Sequence, residues 1–111
     1  LARINYIELP ARDFVAARDF YTAAFDWQMT AYGPDYASTT TGDVDIGLAG
    51  DMSEATAAPL VVIAVDDLEA AEARVRASGG TITRAIFGFP GGRRFHFRDP
   101  AGNELAVWKT E

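Results

Sequence analysis

The chain contains a single histidine, His96, set in the run RRFHFR. If this run is a strand, its side chains alternate, with Arg94, His96 and Arg98 on one face and Phe95 and Phe97 on the other. An imidazole with an unperturbed pKa near ~6.5 suits general-base work or metal ligation. It equally suits a strand histidine bonded to a neighbour or to water. Two carboxylates are possible companions, Glu8 in YIELP and Glu104 in NELAVW. Glu8 in a partly apolar pocket would have its pKa raised by burial and could act as a base. It could instead pair with an arginine such as Arg94, or face solvent. A ligand set of Glu8, His96 and Glu104 can be drawn, but Arg94 and Arg98 beside it would repel a cation. Alternation puts Tyr6 on the face of Glu8, and Ala106 and Trp108 on the face of Glu104. Tyr6 and Trp108 could wall a planar ligand or be ordinary aromatic core.

Other chemistry is excluded by composition. No cysteine occurs among the 111 residues, so disulfides, thiolate nucleophiles and cysteine zinc sites are absent. That composition fits a reducing compartment, and a cytoplasmic location is expected. The opening LARINYIELP holds no long apolar run, so neither a signal peptide nor a spanning helix is expected, and the missing Met suggests a trimmed start. Sixteen acidic residues against ten basic ones give a formal charge of −6. An acidic surface disfavours nucleic acid, which requires a basic stripe, and anionic membranes. The glycine-bearing FGFPGGRR (87–94) lacks the strand–GxxxxGK[ST]–helix context of a phosphate cradle. It is expected to form a loop at a cavity mouth, where Arg93 or Arg94 could attract an anion.

The elements that must position these residues occur twice. YIELPARDFVAAR, from Tyr6, aligns with LVVIAVDDLEAAE, from Leu60, so that Asp13 falls on Asp67 at a constant offset of 54 residues. Each half opens with a short β-branched run, INYIEL and PLVVIAV, too short for a helix. Each then enters a helix through aspartate, whose carboxylate can accept from the free N–H groups of the first turn. Phe14, Ala17, Tyr21 and Ala24 recur at helical spacing, widened by Phe20 and Phe25, and Leu68, Ala71 and Val75 repeat the pattern. Together with Trp27, the aromatics of the first helix read as helix-to-sheet core. Glu69 three residues after Asp66 reads as a capping box, within an acidic run expected to be a solvated helix face. Gly79-Gly80 ends the second helix. Short strands follow near Asp26–Ala31, Tyr36–Thr41 and Val44–Leu48, then near Thr81–Ile86, Arg93–Arg98 and Glu104–Lys109, with turns at Gly42-Asp43, Pro90-Gly91-Gly92 and Asp99-Pro100-Ala101-Gly102. The expected class is α+β, one domain over 1–111 built of two βαβββ modules, at about 1–50 and 59–111. The polar, small-residue segment 49–59 links them. A half of this size would bury a poor core alone.

This repeat resembles the vicinal oxygen chelate superfamily of glyoxalase I, bleomycin-resistance proteins, fosfomycin-resistance enzymes and extradiol dioxygenases. The residues that carry the resemblance are ARDFYTAAFDW (17–27), VDDLEAAEARVRASGG (65–80) and FRDPAGNELAVW (97–108). Single-domain glyoxalase-like members end their first helix in Ala-Phe-Gly-Trp, and here the motif is Ala24-Phe25-Asp26-Trp27. The resemblance implies two modules that curl their sheets around a shared cavity, and a homodimer. In metal-dependent members, strand residues of both modules hold a divalent ion on which a substrate's adjacent oxygens are placed. Carried over by motif, the ligand positions here are Tyr6, Ile46, Leu60 and Ala106. Three of these have no lone pair, and Tyr6 would need its phenol ionised, near pKa ~10 when free. No metal or other cofactor is therefore expected at the family position.

Two functional classes follow. One is a binding protein that holds a small aromatic or amphipathic molecule in a metal-free cavity lined by Tyr6, Leu60, Ala106 and Trp108, oriented by Glu8, Arg94, His96 or Glu104. The other is an enzyme of the lyase, isomerase or dioxygenase kind. It would use a displaced site on Glu8, His96 and Glu104, or acid–base chemistry by Glu8 or His96. The partner in either case is a small molecule.

Overall fold

The computed structural model describes residues 1–111. Its elements are β1 (Arg3–Pro10), α1 (Phe14–Phe25), β2 (Thr30–Ala31), β3 (Tyr36–Ser38), β4 (Asp45–Ala49), β5 (Leu60–Ala64), α2 (Leu68–Ala77), β6 (Thr81–Phe89), β7 (Gly92–Arg98) and β8 (Glu104–Thr110). The chain is α+β, and the order βαβββ occurs twice.

The chain divides into two compact units. One is Tyr6–Leu60, and the other is Val61–Glu111 together with Leu1–Asn5. In the first unit the strands run β2-β3-β4-β1, with β1 and β4 parallel and the other pairs antiparallel. In the second they run β5-β8-β7-β6, with β5 and β8 parallel and the other pairs antiparallel. Each unit thus pairs its first strand with its last in parallel, a pairing that requires a long crossover, supplied partly by the helix.

Both helices start on the aspartates that the repeat aligns. Asp13 accepts from the Ala16 amide at 3.3 Å and Asp67 from the Ala70 amide at 3.0 Å. The cap of α2 is therefore Asp67 and not Asp66. Glu69, expected to close a capping box, lies in the first turn and pairs with Arg93 at 2.5 Å. The helices end differently. After α2, Gly79 takes the left-handed conformation at φ 99°. After α1, Asp26 does so at φ 56°, the only non-glycine residue with positive φ. This reversal consumes the start of the strand expected near 26–31, and only Thr30–Ala31 remains paired.

Each sheet buries one face beneath its own helix. In the first unit Phe14, Ala11, Ala37 and Leu48 form the core, with Leu9, Ala17, Tyr21, Met29 and Ile46 packed against it. In the second, Leu68, Phe95 and Val107 form the core, with Ile63, Ala71, Val75, Ile82 and Phe97 around it. The expectation that all the aromatics of α1 are core fails. Phe20 and Phe25 are 58% and 57% exposed. Tyr21 stacks on Trp27 at 5.3 Å, and Phe25 lies 5.4 Å from the same indole. The buried stripe is the narrower series Phe14, Ala17, Tyr21. Phe20 and Phe25 fall outside it because a 12-residue helix on a small sheet buries one side only.

The segment FGFPGGRR is not a loop. β6 runs to Phe89 and β7 starts at Gly92, joined by a tight turn with Gly91 at φ 105°. The β-branched and aromatic content of ITRAIFGF carries pairing further than the glycines suggest. At the next turn Asp99 accepts from the amides of Ala101 and Asn103 and from the Asn103 side chain, a self-contained Asx arrangement.

Candidate functional site

The faces turned away from the helices hold the candidate chemistry, and each unit has its own. In the first unit β1 places Tyr6 and Glu8 two residues apart on one face. A third residue, Tyr36 of β3, joins them. Its hydroxyl donates to Glu8 Oε2 at 2.8 Å and lies 2.6 Å from the Tyr6 hydroxyl. A phenol has one proton to give, so the Tyr36 oxygen accepts from Tyr6, and the chain runs Tyr6 to Tyr36 to Glu8. Burial, and then the charges of Glu8 and Tyr6, push the Tyr36 phenol far above its ordinary range, so it remains a neutral donor. Glu8 is 6% exposed.

Gly47 makes room for this chain. It pairs with both Glu8 and Ser38, and a Cβ built on it would fall 2.5 Å from the Tyr36 hydroxyl and closer still to that of Tyr6. The register also corrects a mapping. Glu8 stands opposite Gly47 as Val62 stands opposite Ala106, so the counterpart of Ala106 in the first unit is Gly47. Ile46 lies on the helix side, packed against the core.

In the second unit β7 and β8 pair Arg94 with Trp108 and His96 with Ala106. Phe95 and Phe97 turn to the helix side, as alternation requires. The imidazole of His96 is 3% exposed, and its Nδ1 lies 3.2 Å from Glu104 Oε2. Glu104 also accepts from Thr83 Oγ1 at 3.1 Å. Burial, and then the nearby Arg94 cation, pull the His96 pKa below its ordinary value, with Glu104 opposing them. His96 is therefore neutral at pH 7. A carboxylate can only accept, so Nδ1 carries the proton and Nε2 is left as an acceptor. That Nε2 is buried and has no hydrogen-bond partner.

An aromatic and cationic group surrounds it. Phe87 lies 5.8 Å from His96, and Phe89 lies 6.2 Å from Trp108. The Arg84 guanidinium covers the Phe87 ring at 3.6 Å. Arg94 lies 5.3 Å from Phe87 and 5.7 Å from Phe89. Trp108 Nε1 donates to Asn5 Oδ1 at 3.0 Å, which fixes the indole edge. Arg93, the other candidate for attracting an anion, is committed to Glu69 and Glu111. Arg98 donates to the Gly102 carbonyl at 3.0 Å.

Among the residues expected at the site, Tyr6 and Glu8 are joined through Tyr36 in the first unit. Arg94, His96, Glu104, Ala106 and Trp108 gather on neighbouring strands of the second. Leu60 and Ala106 are fully buried. Sequence reasoning missed Tyr36, Gly47, Arg84, Phe87 and Phe89. The alternation of Arg84 with neighbouring residues is broken by two register shifts in β6, which hides its face from a period-two count. The positions that hold a divalent ion in metal-dependent relatives offer no donor set. Leu60, Ala106 and either Ile46 or Gly47 have no lone pair on the side chain, and the Tyr6 hydroxyl is engaged with Tyr36. No group of three or more His, Asp or Glu side chains is placed to hold a metal ion.

The chain belongs to the Glyoxalase/Bleomycin resistance protein/Dioxygenase superfamily, whose family profile matches residues 3–107. It is 30% identical over 125 aligned positions to the anthracycline biosynthesis protein DnrV of Streptomyces peucetius. That alignment covers 94% of this chain and 46% of DnrV, so the chain spans just under half the length of that relative. Its fold is that of a glyoxalase/bleomycin resistance protein/dioxygenase superfamily member from Vibrio splendidus, with a TM-score of 0.76, 20% identity, and 98% and 99% of the two chains covered. It is also similar to the Mn(II)-bound glyoxalase of Novosphingobium aromaticivorans, with a TM-score of 0.70, 21% identity, and 98% of this chain and 40% of that one covered. At these identities the likeness to solved structures is one of fold. No helix is long and apolar enough to cross a membrane.

Proposed function

We propose that this protein binds a small, aromatic or amphipathic molecule without the help of a metal ion. The observation that carries this reading is the face of the second unit on which Phe87, Phe89 and Trp108 stand beside Arg84, Arg94 and the buried, unpartnered Nε2 of His96. Apolar and aromatic side chains with a few fixed polar groups are the usual lining of a small-molecule site. Trp108 floors this face, with Ala106 buried opposite His96, and Arg94, His96 and Glu104 supply its polar groups. In the first unit, Tyr6 and Glu8 are the ligand-facing candidates, held by Tyr36, with Leu60 as packing. The likeness to an anthracycline biosynthesis protein adds support for a polycyclic aromatic ligand. A homodimer and a cytoplasmic location belong to the same reading. The exposed Phe20 and Phe25 are surfaces a second copy would cover.

The test is a thermal melt in EDTA against a panel of planar aromatic molecules that includes an anthracycline. Specific binding to the folded state raises the midpoint by mass action. A saturable rise with a panel member, unchanged by Mn²⁺, Ni²⁺, Zn²⁺ or Fe²⁺, is expected. A saturable rise with one of those ions alone would overturn the metal-free reading.

One observation favours acid–base catalysis as a second reading. A neutral imidazole, oriented by a carboxylate on Nδ1 and bare on Nε2, has the form of a general base. Steady turnover of a bound ligand with an acidic C–H or O–H, lost in His96→Gln, would establish it.

A further inference from the structure

Resting on the binding reading above, we infer that the ligand of the second unit carries a phenolic or enolic hydroxyl, which donates its hydrogen to His96 Nε2 while its ring lies against Phe87, Phe89 and Trp108. Hydrogen bonding around His96 is unbalanced. Thr83 Oγ1 donates to Glu104 Oε2, and the same oxygen takes the Nδ1 proton of His96. The two contacts hold the carboxylate and fix the tautomer, so that Nε2 offers a lone pair and no hydrogen. This lone pair is enclosed, on a side chain 3% exposed, and nothing in the chain donates to it. Buried acceptors are almost always satisfied, and one left open at a functional face points to a group supplied from outside. That group must be a donor.

The surroundings narrow the donor's chemistry. An ammonium or amidinium donor would sit among Arg84 and Arg94, whose guanidinium carbons lie 3.6 Å and 5.3 Å from the Phe87 ring centroid, and would be repelled. A hydroxyl whose oxygen gains negative charge as its proton is shared is favoured by the same two cations. Phenols and enols are the neutral O–H donors that do this readily. Phe87, Phe89 and Trp108 are each partly exposed, so an aromatic ring can lie against them from solvent, and its hydroxyl reaches the enclosed imidazole nitrogen when one of the side chains covering it shifts. The chemistry predicted is thus a hydroxylated aromatic, recognised by a neutral acceptor backed by a carboxylate.

The test uses 2-naphthol, 2-methoxynaphthalene and naphthalene, which share one ring system and differ in the hydroxyl. Binding is followed by calorimetry on the whole chain. 2-Naphthol is expected to bind roughly tenfold more tightly than the methyl ether, the loss that follows when a buried acceptor stays unpaired. His96 is the only histidine, so its ring resonances in a ¹⁵N-histidine-labelled sample are unambiguous. Nε2 is expected to appear as a bare, pyridine-type nitrogen in the free protein, and to shift with 2-naphthol but not with the ether. In His96→Phe the preference for the hydroxyl should disappear while the methyl ether still binds. Equal binding of 2-naphthol and its ether to the native chain would overturn this inference and leave the binding reading standing. If the planar aromatic panel of the melts also fails to bind, the binding reading falls first and the inference with it. A protonated Nε2 in the free protein would overturn the inference without any ligand or variant.

Discussion

The two units are built on one plan and use the faces turned away from their helices in different ways. In the first, the polar groups satisfy one another. Tyr6 gives to Tyr36, Tyr36 gives to Glu8, and Gly47 leaves the space that lets the phenols meet. In the second, one nitrogen of the single histidine stays without a hydrogen-bond partner. His96 has one nitrogen held by Glu104 and one without a partner, among aromatic rings and two arginines. The position equivalent to Gly47 is Ala106, and that of Glu8 is Val62. The repeat thus keeps the pairing scheme and the helix cap, while the two units carry different side chains on these faces: a hydrogen-bonded chain of Tyr6, Tyr36 and Glu8 in one, and a buried His96 Nε2 without a hydrogen-bond partner in the other. Fully satisfied networks rigidify a fold, and a buried polar atom left unpaired is costly.

The two units differ most in stability terms at the paired positions Gly47 and Ala106. Gly47→Ala forces a Cβ into both tyrosine hydroxyls and should cost about 3 kcal/mol in urea denaturation, at the upper end for overpacking. Adding Tyr6→Phe should recover part of that loss. Ala106→Gly, the mirror change, should cost only about 1 kcal/mol, the usual backbone-entropy penalty plus a missing methyl. Equal costs at the two positions would mean that Gly47 does not serve the tyrosine chain.

A second test reads the imbalance of the second unit through pH. Burial, and then Arg94, lower the His96 pKa in the folded state, so the unfolded chain takes up its proton first. Stability from this group is complete above the unfolded value of 6.5 and is lost as pH falls from there through the lower folded pKa. The urea midpoint should decline over that window and lose this decline in His96→Phe. A midpoint that instead rises as pH falls below neutrality would show His96 to be stabilised in its charged form.

The smallest effect separates the helix ends. Asp26 holds a left-handed conformation that glycine adopts freely, and α2 reaches the same conformation at Gly79. Asp26→Gly should raise stability by about 0.5–1 kcal/mol, and Gly79→Asp should lower it by a similar amount. Destabilisation by Asp26→Gly would mean that the aspartate side chain makes a contact worth more than its backbone strain.

Much of this was legible in the residues. The offset between Asp13 and Asp67 predicted two helix caps, and both are present. Period-two alternation predicted that Arg94 and His96 face away from Phe95, and the core confirms it. The same reasoning reached too far at Phe20 and Phe25, because helical spacing identifies a stripe but not how wide a sheet lies beneath it. It placed Ile46 where Gly47 belongs, because in a short strand a one-residue error in register turns every side chain to the other face.

Local chemistry was therefore determined by the sequence alone: the repeat, the caps, the turns and the single histidine. These depend on neighbours a few residues apart, where propensity and hydrogen bonding act directly. Which distant side chains complete each face was decided by tertiary structure. Tyr36 reaches Glu8 across 28 residues of chain, and Thr83 reaches Glu104 across 21. Register shifts in β6 set where Arg84 and Phe87 fall opposite β7. Such pairings follow from strand register, and register is set by burial of a whole sheet face beneath its helix, which no short window of residues contains.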